Sequence, residues 1–217
     1  MTYGFPLAAP GQRIGLLGGS FDPPHEGHVA VSHAALKRFG LDRVWWLVSP
    51  GNPLKPHSPA AMDARIAAAR ALTPDPRIHV TDIEARMGTR LTADTIAALI
   101  RRYPAVRFVW LMGSDNMVQF AQWERWREIA RQVPIGVVAR PGSRLAARGS
   151  EAARKLEAGR RPQSDALRLA SIRPPAWMLI NMPMKAVSST ALRTCAEGGL
   201  LPSMSEPRTG SASFEEC

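Results

Sequence analysis

Cysteine, tyrosine and long apolar runs are all scarce in this chain, and each scarcity removes a class of protein. Among 217 residues there are two cysteines, Cys195 and Cys217, and two tyrosines. So little cysteine, with no secretion signal evident, fits a reduced cytoplasmic compartment better than a disulfide framework. The opening Met1-Thr2-Tyr3-Gly4-Phe5-Pro6 has neither a basic start nor a long apolar segment, so no signal peptide is expected. Apolar stretches run to fewer than ten residues, too short for a membrane-spanning helix. No Gly-x-Gly-x-x-Gly and no Gly-Lys-Ser/Thr ending occur, which argues against a dehydrogenase and against a P-loop kinase. Neither a Ser-His-Asp set nor a covalent nucleophile stands out. No carboxylate or cysteine set has metal-ligand spacing either, so no protein-held metal site is expected.

Basic residues outnumber acidic ones, 28 against 18, for a formal net charge of +10. That balance favours anionic partners. The basic residues are scattered, with short groups such as Arg101-Arg102 and Arg160-Arg161. Zinc-finger spacing and RNP-type aromatic motifs are absent, so nucleic acid is not the expected partner.

What is present alternates between strand-like and helix-like segments, with no internal repeat. Short apolar runs at Arg13–Gly18, Arg43–Val48, Arg77–Ile83, Val106–Met112, Pro134–Ala139 and Ala176–Met182 read as strands. Between them, Gly27–Phe39, Pro59–Leu72 and a stretch opening at Thr92 read as helices, with Thr92 as an N-cap and Gly40 as a helix stop. Glu84–Leu91 reads as irregular, and 143–174 is hard to read beyond a short helix near Glu151–Leu156. The alternation implies an α/β fold, a Rossmann-like parallel sheet with helices on both faces. Residues 1–12 are expected as a loose leader, 13–198 as a single α/β domain and 199–217 as a disordered tail. Ligands of such sheets bind beyond the carboxyl ends of the strands. The informative turns sit there: Gly18 to His28, Pro50 to Lys55, Gly88 to Thr92, Gly113 to Asn116 and Ser188 to Arg193.

The sharpest signal is His25-Glu26-Gly27-His28, following Gly18-Gly19-Ser20-Phe21-Asp22-Pro23-Pro24. Two histidines three apart at a helix start share a face and can point together at a phosphate. Gly27 between them leaves room for close backbone approach, and the helix N-terminus adds amides and a favourable dipole.

The Gly18–His28 stretch resembles the signature of the nucleotidyltransferase superfamily with the His-x-Gly-His motif. Val187-Ser188-Ser189-Thr190-Ala191-Leu192-Arg193 resembles its C-terminal Ile-Ser-Ser-Thr-x-Ile-Arg motif. Leu111-Met112-Gly113-Ser114-Asp115-Asn116 with Trp123, and Thr92-Ala93-Asp94-Thr95, resemble segments of nicotinate-nucleotide adenylyltransferases. The match runs in order from about residue 13 to 196.

The resemblance implies transfer of the adenylyl group of ATP to nicotinate mononucleotide, giving nicotinate adenine dinucleotide and pyrophosphate. The attacking group is already a phosphate anion, so positioning and charge neutralisation suffice without a strong general base. It further implies that His25, His28, Lys55 and Arg193 act on the ATP phosphates, with Ser188 and Ser189 at an opposing helix N-terminus. Gly18, Gly19, Ser20, Phe21 and Gly27 would line the nucleotide cleft, and Gly113 and Asp115 would hold the adenosine. Ser20, Leu91, Thr92 and Trp123 fall to the acceptor: Trp123 stacks on its pyridine ring, and amides near Thr92 receive its carboxylate. Mg²⁺ is expected with ATP, held mostly by phosphates and water.

The chain departs from the family at Leu91, where tyrosine is usual, at Leu54, where histidine is common, and in a tail without the usual aromatic helix. Other acceptors, nicotinamide mononucleotide or pantetheine phosphate, and a non-catalytic nucleotide-binding protein remain alternatives. A homodimer is compatible with the sequence, which does not decide the oligomeric state.

Overall fold

In a computed structural model of the chain, residues 5–50, 60–139 and 143–181 are described. The described residues form six strands, β1 (Arg13–Gly19), β2 (Arg43–Val48), β3 (Ile78–Thr81), β4 (Arg107–Gly113), β5 (Ile135–Ala139) and β6 (Trp177–Asn181). All neighbours are parallel and the order is β3-β2-β1-β4-β5-β6. Chain order therefore reverses between β1 and β4, and the crevice at that switch point is where such sheets receive ligands.

The strands read as near-continuous apolar runs because both faces of the sheet are covered. Leu16, Trp45 and Trp110 face one core together with Ile96 and Leu99 of α4 (Thr92–Arg102) and Ile129 of α6 (Trp126–Gln132). Leu17, Trp46 and Val109 face the other, with Ala35 and Leu36 of α1 (Glu26–Arg38) and Ile66 and Ala69 of α2 (Met62–Leu72). Adjacent residues of one strand go to opposite cores because side chains alternate across the pleat. Burying each large apolar side chain is worth about 1.5–3 kcal/mol, so these two cores fix the sheet on which the loops stand.

Several local expectations are corrected. The third strand stops at Thr81, whose hydroxyl accepts the Ile83 amide at 3.1 Å. The expected irregular stretch holds α3 (Ile83–Met87), ended by Gly88 at φ +64°, a conformation glycine adopts without a Cβ penalty. Thr92 is the first residue of α4 rather than its cap; Leu91 takes the cap position without a side-chain bond. The reason is visible in Thr95, whose hydroxyl lies 3.2 Å from the Leu91 carbonyl while the Asp94 and Thr95 amides donate to the same oxygen.

Residues 143–174, nearly unreadable in sequence, contain α7 (Arg144–Gly149), α8 (Glu151–Lys155) and two 3₁₀ segments, Glu157–Gly159 and Gln163–Ser171. The start of the chain is fastened from Phe5 on. Phe5 and Ala8 pack against the first core, the Tyr103 hydroxyl donates to the Pro6 carbonyl at 2.8 Å, and Gly11 N–H bonds Ala105 at 2.7 Å. The tail at 199–217 lies outside the described residues. Among the described residues no helix is long and apolar enough to cross a membrane.

Candidate active site

The turn after β1 is held rigid by aromatic packing as well as by backbone. Phe21 adopts φ +47°, a region that costs a non-glycine residue of order 1–3 kcal/mol. Its ring is buried and stacks on Trp46 at 4.9 Å, with a 17° interplanar angle, and leans on His28 at 4.6 Å. Trp46 is anchored in turn. Its indole N–H donates to Ser32 Oγ at 2.7 Å, and Ser32 donates to the His28 carbonyl at 2.8 Å. Packing thus over-determines the strained residue. Neither Trp46 nor Ser32 was evident from sequence, because their motif-free positions come together only when α1 packs on β2.

The two histidines form a reciprocal cap on α1. The Gly27 amide donates to His25 Nδ1 at 3.0 Å, and the His25 amide donates to His28 Nδ1 at 3.2 Å. The rings stack at 4.0 Å. This is a capping box in which imidazoles do what Ser and Glu ordinarily do. A nitrogen that accepts cannot also carry a proton, so the geometry assigns both rings the neutral tautomer with hydrogen on Nε2. Both imidazoles are thereby turned into Nε2–H donors of fixed orientation. His25 is buried and His28 half-buried.

Gly18 and Gly19 close β1, but they differ in what they tolerate. A Cβ at Gly18 would meet the Trp110 ring at 2.5 Å, whereas at Gly19 the nearest atom, on Phe21, is at 3.5 Å. Across the switch point, β4 ends at Gly113 and α5 (Ser114–Gln119) begins. Ser114 is buried with its hydroxyl 2.5 Å from that of Ser143, while Asp115, in the first turn, is exposed.

The wall around Leu91 and Thr92 lies beyond β3. Leu91 and Thr92 are half-buried at the start of α4. Behind them Glu84 is 5% exposed; burial pushes its carboxyl up to about 7, against a smaller opposing effect of a hydrogen bond from Thr95. Thr89 and Thr95 hydroxyls meet at 2.8 Å beside it. Trp123 is half-buried, edge-on to Trp110 at 6.2 Å and to Phe120 at 5.5 Å. Arg125, at φ +56°, reaches Asp94 of α4 at 2.5 Å and Glu128 of α6 at 2.6 Å, tying the Trp123 segment to α4. Lys55, Ser188, Ser189 and Arg193 lie outside the described residues.

The cytidylyltransferase-like family model matches residues 16–195. A probable nicotinate-nucleotide adenylyltransferase of Ruegeria pomeroyi is 60% identical over 92% of this chain and 92% of that protein. One of Roseobacter denitrificans is 54% identical over 89% of this chain and 98% of its own length. This chain belongs to the nicotinate-nucleotide adenylyltransferase family. The fold agrees: the nicotinic acid mononucleotide adenylyltransferase of Plasmodium falciparum, complexed with NaAD, superposes with a TM-score of 0.63 over 84% of this chain and 83% of that one. Sequence identity there is 18%. In a nucleotidyltransferase of this family, the two Nε2–H groups stand at the carboxyl end of β1, beside the switch point.

Proposed function

We propose that the protein joins ATP to nicotinate mononucleotide, releasing pyrophosphate and forming nicotinate adenine dinucleotide. The observation that carries the reading is the histidine capping box at the start of α1, which commits both Nδ1 atoms and puts the proton of each ring on Nε2, at a helix end suited to phosphate. An oxygen of the acceptor's 5′-phosphate attacks the α-phosphorus of ATP. The bond from that phosphorus to the bridging oxygen breaks, and the electron pair leaves with pyrophosphate. No proton has to be removed from the nucleophile, so fixed donors and cations suffice.

In this reading His25 and His28 donate to the ATP phosphates, with His28 nearest the charge that develops. Lys55, Ser188, Ser189 and Arg193 supply the remaining phosphate contacts. Gly113 and Asp115 hold the adenosine, and Gly18, Gly19, Ser20, Phe21 and Gly27 shape the floor of the cleft. Trp123 stacks on the pyridine ring, and the amides at the start of α4, uncapped by any Leu91 side-chain bond, receive the nicotinate carboxylate. Among the described residues no group of three His, Cys, Asp or Glu could hold a metal. Mg²⁺ bound to ATP would be held by phosphate and water and would neutralise charge on the leaving group.

Pyrophosphate release tests the proposal, with purified protein, ATP, Mg²⁺ and either nicotinate or nicotinamide mononucleotide. Release with the nicotinate form is expected. No release with either acceptor refutes the activity, and strong preference for the nicotinamide form refutes the acceptor pocket.

A further inference from the structure

Arg65, on α2, is 3% exposed. Its Nη1 donates to the Ser20 carbonyl at 2.5 Å and to the Ser49 carbonyl at 2.9 Å, and its Nε donates to the Ala60 carbonyl at 2.7 Å. Ser20 is the first residue beyond β1, Ser49 the first beyond β2, and Ala60 stands just before the start of α2. Asp22 adds electrostatic support to the guanidinium and accepts the Ala60 amide at 3.4 Å. Burial lowers the pKa of the group, but an arginine stays charged in proteins.

Removing a guanidinium from water costs several kcal/mol before its partners repay it. Strand pairing does not require this one. The ends of β1 and β2 are already joined by ladder bonds, and the Ser49 amide donates to Gly19 at 3.0 Å. What Arg65 adds is a hold on the Ser20 carbonyl, one residue before the φ +47° turn at Phe21. That turn is then fixed in three ways: by Arg65 where it leaves the sheet, by the Trp46 stack on its ring, and by the histidine cap where it enters α1.

We propose that Arg65 is a positioning residue for adenylyl transfer. Through Ser20 it sets where the Phe21–His28 turn leaves the sheet, and it holds that point together with the Ser49 and Ala60 carbonyls. It acts on the reaction through the two histidines and does not touch substrate. The inference rests on the adenylyl-transfer reading above.

The test compares wild type with Arg65→Lys, which keeps the charge but loses the planar fork, and with Arg65→Met, which loses both. Pyrophosphate release is measured with each substrate varied in turn, at a temperature where circular dichroism shows the protein folded. A displacement of the histidine donors by a fraction of an ångström should cut kcat/KM for ATP by about 10- to 100-fold in Arg65→Lys. Imidazole ¹⁵N signals of His25 and His28 should shift as well, reporting a disturbed cap. A purely structural Arg65 predicts a lower melting temperature with normal kinetics and normal imidazole signals, and that result overturns the proposal. Should Arg65→Met fail to fold, Arg65→Lys decides. A wild-type chain that releases no pyrophosphate would refute the underlying activity; an active wild type matched by Arg65→Lys would refute only this inference.

Discussion

Glu84→Gln should raise stability above neutral pH and change it little below pH 5. In the folded chain burial holds the Glu84 carboxyl protonated up to about pH 7, whereas its ordinary value is 4.5. Between those values the folded state binds more protons than the unfolded state. Stability therefore falls as pH rises through this window, and the loss is complete once the folded carboxyl has ionised. A gap of two to three pH units is worth about 3 kcal/mol. Glutamine has the same shape, never ionises, and can still accept from Thr95, so it removes the loss without opening a cavity.

Melting curves of wild type and Glu84→Gln, recorded by calorimetry from pH 4.5 to 8.5, read this out. For a chain of this size, about 3 kcal/mol corresponds to roughly 6–12 °C in melting temperature. The two curves should lie close together at the acid end, separate as pH rises from about 4.5 to about 7, and run parallel above that. Every other titrating group is common to both proteins, so the difference isolates Glu84. Parallel curves across the range would refute the assignment of a raised carboxyl pKa to this position. The placement has a functional side as well. A carboxyl kept neutral behind the wall proposed to receive nicotinate's carboxylate avoids placing two like charges across it.

The histidine cap offers a way to separate structure from chemistry. In His28→Asn the side-chain oxygen can replace Nδ1 as acceptor for the His25 amide while the Nε2–H donor and the ring contacts with Phe21 and His25 disappear; at a temperature where the variant is folded, turnover should fall by roughly 10²-fold or more, and near-normal pyrophosphate release would show the role misassigned. Gly18→Ala places a methyl 2.5 Å from the Trp110 ring, an overpacking worth about 1–3 kcal/mol; chemical denaturation should show that loss, and an unaltered midpoint would mean that the ring moves freely.

The sheet was legible because each strand is a short apolar run closed by a turn residue; of the boundaries that shifted, among them the start of α2 at Met62 rather than Pro59, two lie beside side-chain hydroxyl bonds. Thr81 stops β3 early by taking the Ile83 amide, and Thr95 moves the start of α4 by engaging Leu91. Neither bond has a signature in hydrophobic periodicity. Within 143–174 the short helix expected near Glu151–Leu156 is present as α8, but α7 and the 3₁₀ segments went unread, being too short or too tightly wound for a helical period to establish itself. In the site, His25 and His28 were legible as a spaced pair after a distinctive turn. Trp46, Ser32 and Arg65 were not: Trp46 reaches the turn through the pairing of β1 with β2 and Arg65 through the packing of α2, while Ser32 sits on α1 itself and shows its part only once Trp46 is beside it. An apolar-looking position such as Arg65 in an alanine-rich helix gives no sign that it reaches three carbonyls. Its charge at a buried position was the one available signal, and burial cannot be read before the fold.

Under the proposed function these placements would divide the work of binding a triphosphate. The described turn supplies direction rather than charge: two neutral imidazoles with both Nδ1 atoms committed, at a helix whose dipole adds only partial charge. Full positive charge for the phosphates falls, in the proposed assignment, to Lys55 and Arg193. Arg65 carries a full charge close by, but all three of its observed bonds go to backbone carbonyls, which keeps it structural in contact while electropositive in field. Transition-state charge is best met by dipoles that need not reorient as it forms. A turn fastened at its exit, its middle and its helix cap provides such dipoles, and long cationic side chains alone would not.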